Sequence, residues 1–171
     1  MPKTERSRPG AAATPRGGRE RIFLVVVDAT KEHEKALRFA SLRARNTGGR
    51  VALLYVLEPA EFQHWMAVES LMREERRQEA EALLQRVSAE VQKVSGLTPV
   101  FYLREGNVHD ELLKLIDEER SISILVLAAG TDKKGPGPLV SQLAGKQSGS
   151  LRIPITIVPG NLSDDDIDAL T

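Results

Sequence analysis

The sequence has no cysteine, few aromatic residues and no net charge. Without cysteine, the 171-residue chain can form no disulfide, thiolate nucleophile or cysteine-ligated zinc site. Aromatic residues make up only 4% of it, so a core has to be built mainly from Val, Leu, Ile and Ala. The 24 basic and 24 acidic side chains cancel, which gives no global attraction to nucleic acid or to a membrane.

Long apolar runs are also missing. The longest, such as residues 122–129, fall far short of the roughly 20 residues that a membrane-spanning helix needs. The basic N-terminal stretch is not followed by the apolar segment of a signal peptide. The sequence therefore predicts a cytoplasmic protein with no membrane association and no specific nucleic-acid binding.

The two ends of the chain differ from its middle. Residues 1–20 mix basic side chains with Pro, Gly and Ala and have no hydrophobic period, which is typical of a disordered arm. Residues 161–171 form an acidic tail, where Ser163 is placed to cap a short helix that begins with three aspartates. Residues 21–160 are the predicted folded domain.

Within the domain, predicted strands and helices alternate. Apolar, β-branched runs predict strands at residues 22–28, 51–57, 99–103, 122–129 and 155–158. Helical periodicity predicts a first helix that is capped by Thr30 and runs through Asn46, a long second helix, a third capped by Asn107 and a short fourth beginning at Pro138. This alternation is typical of a doubly wound, Rossmann-like α/β domain, whose five-stranded, mainly parallel sheet has helices on both faces.

Ligands of such sheets bind beyond the carboxyl ends of the strands. Three segments are expected to meet there: residues 28–30, 56–59 and 128–141. The last contains glycines that could cradle a phosphate, two hydroxyls and two lysines. It also contains two prolines without an N–H and an aspartate that would repel a phosphate. The loop is therefore either a rebuilt phosphate site or a rigid βα connection.

Several segments, taken together, resemble the universal stress proteins. They are VVVDAT at residues 25–30, LLYVLEP at 53–59, REGNVHDELLKLIDEE at 104–119, ILVLAAG at 124–130 and PITIVPG at 154–160. The resemblance covers roughly residues 20–160. It implies a five-stranded domain of the adenine nucleotide alpha hydrolase-like type and a homodimer that forms through the last strand, at Ile155, Thr156, Ile157 and Val158. Some members of that family bind ATP or AMP, with Mg²⁺ expected only beside ATP, and others bind no nucleotide.

The family's nucleotide motif, Gly-x2-Gly-x9-Gly-Ser/Thr, is altered in this chain. Ala128 stands at the first glycine unless the motif shifts to Gly130, and Ser141 followed by Gln142 stands at the third. The resemblance places Asp28 near adenosine and the Val56 backbone near adenine, although Asp28 could equally cap a helix or form a turn. The full set of candidate nucleotide-binding residues is Asp28, Ala29, Thr30, Val56, Ala128, Gly130, Thr131, Lys133, Gly135, Gly137, Ser141 and Gln142.

Other functional residues are few. Phe62, His64, Trp65 and Met66 could form a lid, a stacking surface or a dimer contact, or they could be a small satellite core. The three histidines are not at metal-ligand spacing, so they are expected to be surface or helix-end residues. No nucleophile–base pair is evident. Three functions stay open: a nucleotide-binding regulatory dimer, a nucleotide-free stress protein that acts through its dimer surface and partner contacts, and a slow ATP hydrolase.

Overall fold

The structure, a computed structural model, describes residues 19–28, 30–59 and 66–171, with only the backbone of Met66. Ala29 and the aromatic cluster of Phe62, His64 and Trp65 lie outside the described residues. So does nearly all of the predicted basic arm.

The alternation of strands and helices is confirmed. Five strands are present: β1 (Ile22–Val26), β2 (Arg50–Leu57), β3 (Val100–Glu105), β4 (Ile122–Ala129) and β5 (Ile155–Pro159). Five helices follow them: α1 (His33–Thr47), α2 (Met66–Ser95), α3 (Val108–Glu118), α4 (Pro138–Ala144) and α5 (Asp164–Leu170). All four strand pairings are parallel, in the order β3-β2-β1-β4-β5. The predicted doubly wound fold is therefore correct.

Helices cover both faces of this sheet. One core cluster joins β-strand residues to α1, α2 and α5 through side chains such as Leu37, Leu84 and Ile167. The other joins the opposite face to α3 and α4 through Leu112, Leu115 and Leu143. Between β3 and β4 the chain crosses to the other face of the sheet, and β4 pairs with the free side of β1. The direction in which strands are added therefore reverses between β1 and β4. A crevice at the carboxyl ends of these two strands is the expected ligand site.

The start of α1 differs from the prediction. The helix begins at His33, three residues after Thr30, which was the expected cap. The Thr30 amide and hydroxyl instead donate to Oδ1 of Asp28, at 2.8 and 2.5 Å. Thr30 therefore belongs to a side-chain turn before the helix, and Glu32 occupies the N-cap position. Asp28 is consequently a turn former, as one of the two sequence interpretations had it.

The C-terminal helix α5 is part of the folded domain. Ser163 caps it as predicted, and its side chain and that of Asp166 exchange hydrogen bonds with each other's backbone in a capping box. Ile167 is fully buried in the core cluster of α1 and α2. Arg38 of α1 makes two hydrogen bonds of 2.7 Å to Asp168, and Lys35 lies 2.9 Å from Asp164. The segment predicted as an acidic tail thus packs against α1.

The long helix α2 extends past the carboxyl edge of the sheet. Among the described side chains of this helix, the buried residues begin at Ala80 and include Leu84, so residues 66–79, called here the overhang of α2, project beyond the core. Arg73 of the overhang is 2.5 Å from Glu105 at the end of β3. Arg76 donates to the Glu58 carbonyl just after β2. Through these contacts α2 forms one wall of the space beyond the carboxyl ends of the strands. None of the helices that the structure describes is both long and apolar enough to cross a membrane.

Candidate functional site

Three connected features lie at the carboxyl ends of the strands. The largest, called here the main cavity, has a volume of about 740 Å³ and is lined by residues from β1, β2, α2, α3 and α4. A smaller space of about 140 Å³, the switch-point crevice, lies between the ends of β1 and β4. The third, the loop hollow, is formed mainly by residues of the β4–α4 loop. Asp28 lines both the main cavity and the crevice, so it joins the two.

Asp28 presents its carboxylate where these spaces meet. Thr30 holds Oδ1 through two hydrogen bonds, and Nδ1 of His33 lies 3.5 Å from the same oxygen. Oδ2 takes part in none of these contacts. Partial burial by itself raises the pKa of Asp28, but the neighbouring His33 and Thr30 outweigh it and hold that pKa below its ordinary value. Asp28 is therefore a carboxylate at neutral pH, with one oxygen fixed by the turn.

The backbone of Val56 faces the same space. β1 ends at Val26, opposite Leu54, whose carbonyl accepts a hydrogen bond from Val27. Peptide groups two residues apart in a strand point to the same side. The N–H and C=O of Val56 consequently point to the side of β2 where β1 would pair, but β1 has already ended at Val26. Val56 also lines the main cavity. This is a position from which a backbone N–H or C=O can bind a planar heterocycle.

The main cavity is rich in carboxylates. Four acidic residues line it: Asp28, Glu58, Glu79 and Asp110. The basic groups in its lining, Arg76 and His109, are already engaged. Arg76 donates to the Glu58 carbonyl, and the His109 ring contacts Gln147 and Asp110. The charge of the cavity therefore suits a neutral or hydroxyl-rich group better than a polyphosphate.

The β4–α4 loop uses three of its own backbone donors internally. The Gly130 N–H donates to the Pro136 carbonyl at 3.1 Å, and the Gly135 N–H donates to the Asp132 carbonyl at 3.2 Å. The Lys134 N–H donates to Oδ1 of Asp132 at 2.8 Å. Pro136 and Pro138 have no N–H to offer. In this conformation the loop is closed on itself, and phosphate oxygens would have to compete with these bonds.

The structure distributes the predicted site residues over the three spaces. Asp28, Val56 and Gln142 line the main cavity, and Asp28, Thr30, Ala128 and Gly137 line the crevice. Gly130, Gly135, Gly137 and Ser141 line the loop hollow. Thr131 and Lys133 are exposed and line none of these three spaces. Ala29 lies outside the described residues.

Three sets of residues stand out among the lining residues that were not predicted as site residues. The start of α3 lines the main cavity through Asn107, Val108, His109 and Asp110. The overhang of α2 lines it through Arg76 and Glu79. His33 lines the crevice. The first set could have been found from topology, because a helix that follows a parallel strand begins at the carboxyl edge of the sheet. The position of α2 depends on its length beyond the core and has no comparable local signal.

Comparisons with known proteins agree with this architecture. The model of the universal stress protein family matches residues 20–159. The chain belongs to the universal stress protein family. No curated protein sequence matches it significantly.

Solved structures of other universal stress proteins share the fold at low sequence identity. UspA from Lactobacillus plantarum is 17% identical with a TM-score of 0.68, over 83% of this chain and 99% of that one. The protein from Archaeoglobus fulgidus in complex with dAMP is 19% identical with a TM-score of 0.56, over 81% and 97%. A family protein from Arabidopsis thaliana with AMP bound is 13% identical with a TM-score of 0.57, over 84% and 94%.

Proposed function

We propose that this chain is a stress-response regulatory protein that binds an adenine nucleotide in its main cavity. The observation that carries the proposal is that Asp28 and Val56 both line a cavity of about 740 Å³. That volume lies within the range of pockets for small ligands. The complexes of related proteins with dAMP and AMP support the choice of ligand.

The roles of the two residues follow from their geometry. The Asp28 carboxylate, with Oδ1 held by Thr30, is placed to accept a hydrogen bond from a ribose hydroxyl through Oδ2. The Val56 peptide groups, which face the space beyond β1, are placed to bind the edge of adenine. A charged acceptor contributes more to such a bond than a neutral one, about 1.5–3 kcal/mol. Asp28 is accordingly the main polar determinant of the site.

The phosphates are expected to contribute less than the adenosine moiety. Because the β4–α4 loop bonds to itself and carries Asp132, the β- and γ-phosphates of ATP gain few backbone donors. We therefore expect AMP to bind at least as tightly as ATP, with or without Mg²⁺. Calorimetric titration of the purified protein with AMP, ADP and ATP measures this order, and mass spectrometry of the denatured protein detects any co-purified nucleotide.

Two results would count against these expectations in different ways. Binding of ATP about tenfold more tightly than AMP would mean that the loop opens and offers its N–H groups to phosphate. Flat titrations with all three nucleotides, and no nucleotide released on denaturation, would sink the proposed function itself.

A nucleotide-free stress protein is the second candidate, and the closed loop is the observation that favours it. The hydrogen bonds of Gly130 and Gly135, together with the N–H groups missing at Pro136 and Pro138, give the β4–α4 loop a stable conformation without a ligand. Such a protein would act through its dimer surface and partner contacts. The flat titrations described above are its expected result. Slow ATP hydrolysis and a cytoplasmic location stay predictions of the sequence.

A homodimer through β5 is the expected assembly. β5 lies at the end of the strand order and pairs with β4 alone among the described strands. Ile157 is 38% exposed at this edge. An unpaired apolar edge strand is an aggregation hazard unless it is covered, and a second copy related by a two-fold axis would cover it.

Light scattering coupled to gel filtration is therefore expected to give twice the chain mass. Ile157→Lys should shift the protein toward monomer, because a charge would be buried at the interface. Leu71→Lys is the matched control, since Leu71 is also exposed but lies on the overhang of α2. A monomer mass for the unaltered protein would refute the dimer.

A further inference from the structure

His33 is a partly exposed residue whose side chain is largely covered and lies next to Asp28, the principal residue of the candidate site. It is the first residue of α1 and lines the switch-point crevice. Its side chain is only 11% exposed, and Nδ1 lies 3.5 Å from Oδ1 of Asp28. That nitrogen is buried and has no hydrogen-bond partner among the described residues. A buried polar atom without a partner is costly, so its environment calls for an explanation.

The protonation state and the tautomer of the ring decide the strength of this contact. In the neutral ring with its proton on Nε2, the Nδ1 lone pair faces a carboxylate oxygen and two acceptors oppose each other, whereas the neutral tautomer with its proton on Nδ1 can donate to that oxygen as an uncharged group. When the ring is protonated, Nδ1–H donates as part of a cation, and the contact becomes a charge-assisted hydrogen bond, the strongest of the three. The carboxylate would then be held through Oδ1 by both Thr30 and His33, with Oδ2 outside these contacts.

We propose that His33 is a positioning residue, whose protonated ring holds the Asp28 carboxylate in the orientation that binds an adenine nucleotide. This role rests on the proposed function. Ligand affinity is then highest when the ring is protonated and falls as the ring loses its proton. The same contact links occupancy of the site to pH in the range near neutrality, where histidine titrates.

The charges around His33 favour its protonated form. Asp28 follows the end of β1, Glu32 is the N-cap residue just before α1, and Glu34 lies in the first turn of α1. Lys35 of α1 is paired with Asp164 of α5. The residues that β4 and α4 bring to the crevice, from Val126 to Ala128 and from Pro136 to Val140, carry no charge. Burial lowers the pKa of His33, but the Asp28 carboxylate outweighs it and raises that pKa above the ordinary value.

The pH window follows from these directions. Since the folded state raises the pKa of His33, the charge-assisted contact is fully present below about pH 6.5, and its charge is lost as pH rises through the higher folded value. Asp28 has the opposite shift, so its contribution is lost only in acid, as pH falls below about 4. The His33–Asp28 contact is therefore complete in mildly acidic solution and weakens toward alkaline pH.

The test combines a measurement on the ring with a measurement of binding. NMR titration of the ligand-free protein should give His33 a midpoint above that of an ordinary histidine, and Asp28→Asn should lower it. Calorimetry with AMP and adenosine at pH 5.5 and 8.0 then compares the unaltered protein, His33→Gln and the exposed-site control Lys31→Gln. The amide that His33→Gln introduces can donate to Asp28 without titrating, and adenosine removes the ionisation of the phosphate.

Between pH 5.5 and 8.0, affinity for both ligands is expected to fall about three- to tenfold more in the unaltered protein than in His33→Gln. The Lys31→Gln control should follow the unaltered protein. If Asp28→Asn leaves the NMR midpoint of His33 unchanged, the positioning role alone is overturned. The same holds if the unaltered protein and His33→Gln show the same dependence of ligand affinity on pH. A His33 effect on AMP but not on adenosine overturns it in favour of a direct phosphate contact. Absence of binding by every variant overturns the proposed function as well.

Discussion

Asp28→Asn is expected to weaken AMP binding by at least tenfold while leaving the fold unchanged. The substitution keeps the shape of the side chain, and its amide oxygen can still accept the Thr30 hydrogen bonds. It removes the negative charge that the candidate site would use to bind a ribose hydroxyl. Loss of a hydrogen bond to a charged group costs about 1.5–3 kcal/mol, which corresponds to roughly 10- to 100-fold in affinity. Calorimetric titration with AMP measures the change.

Asp117→Asn is the matched control for this experiment. Asp117 is exposed on α3, nine residues beyond the helix start that lines the cavity, or about 13 Å along the helix axis. Its substitution should leave AMP affinity within twofold of the unaltered protein. If Asp28→Asn bound AMP as tightly as Asp117→Asn, the adenosine moiety could not depend on the Asp28 carboxylate, and the site would have to lie elsewhere.

Ile167→Ala is expected to lower the free energy of unfolding by about 2–4 kcal/mol. Ile167 is fully buried and belongs to the core cluster of α1 and α2. Truncation removes apolar contacts and leaves a cavity beneath α5, because the helix is held in place by the Arg38–Asp168 hydrogen bonds and can collapse only partly. Urea denaturation followed by circular dichroism measures the loss.

Leu170→Ala is the matched control for Ile167→Ala, because it also introduces Ala into α5 but removes no buried side chain. Leu170 lies on the same helix but is 63% exposed, and surface substitutions of this kind usually change stability by less than about 0.5 kcal/mol. Equal effects of the two substitutions would contradict the packing of α5 as part of the domain. A loss for Ile167→Ala below about 0.5 kcal/mol would mean that α5 detaches without disturbing the core.

Strands with strong local signals were predicted closely. β4 has its predicted bounds, residues 122–129, because a run of β-branched and apolar residues reports burial on both faces of the sheet. The caps Asn107 and Ser163 and the early Pro138 also lie where the sequence placed them. The start of α1 was misplaced, since Thr30 had two available partners and the choice of Asp28 over the helix depends on the local chain path.

The candidate site was predictable in part. Asp28, Val56 and Gln142 do meet in one cavity, because carboxyl ends of parallel strands share one edge of the sheet. The sequence could not show that the glycines of the β4–α4 loop would donate to Pro136 and Asp132. It also could not show that α2 would cover the cavity, or that the His33 side chain would be largely covered beside Asp28. Each of these depends on packing between segments that are distant or flexible in sequence.

The sequence by itself determined the class of fold, the order of its elements and the family, since hydrophobic period, caps and segment order are local properties of the chain. Only the tertiary structure decided that the acidic C-terminal segment packs on α1 and that the β4–α4 loop closes on itself. It also decided that a largely covered histidine side chain faces the Asp28 carboxylate. Burial and pairing are properties of neighbours in space, and the same residues in another packing would have had ordinary exposure, ordinary pKa values and no shared site.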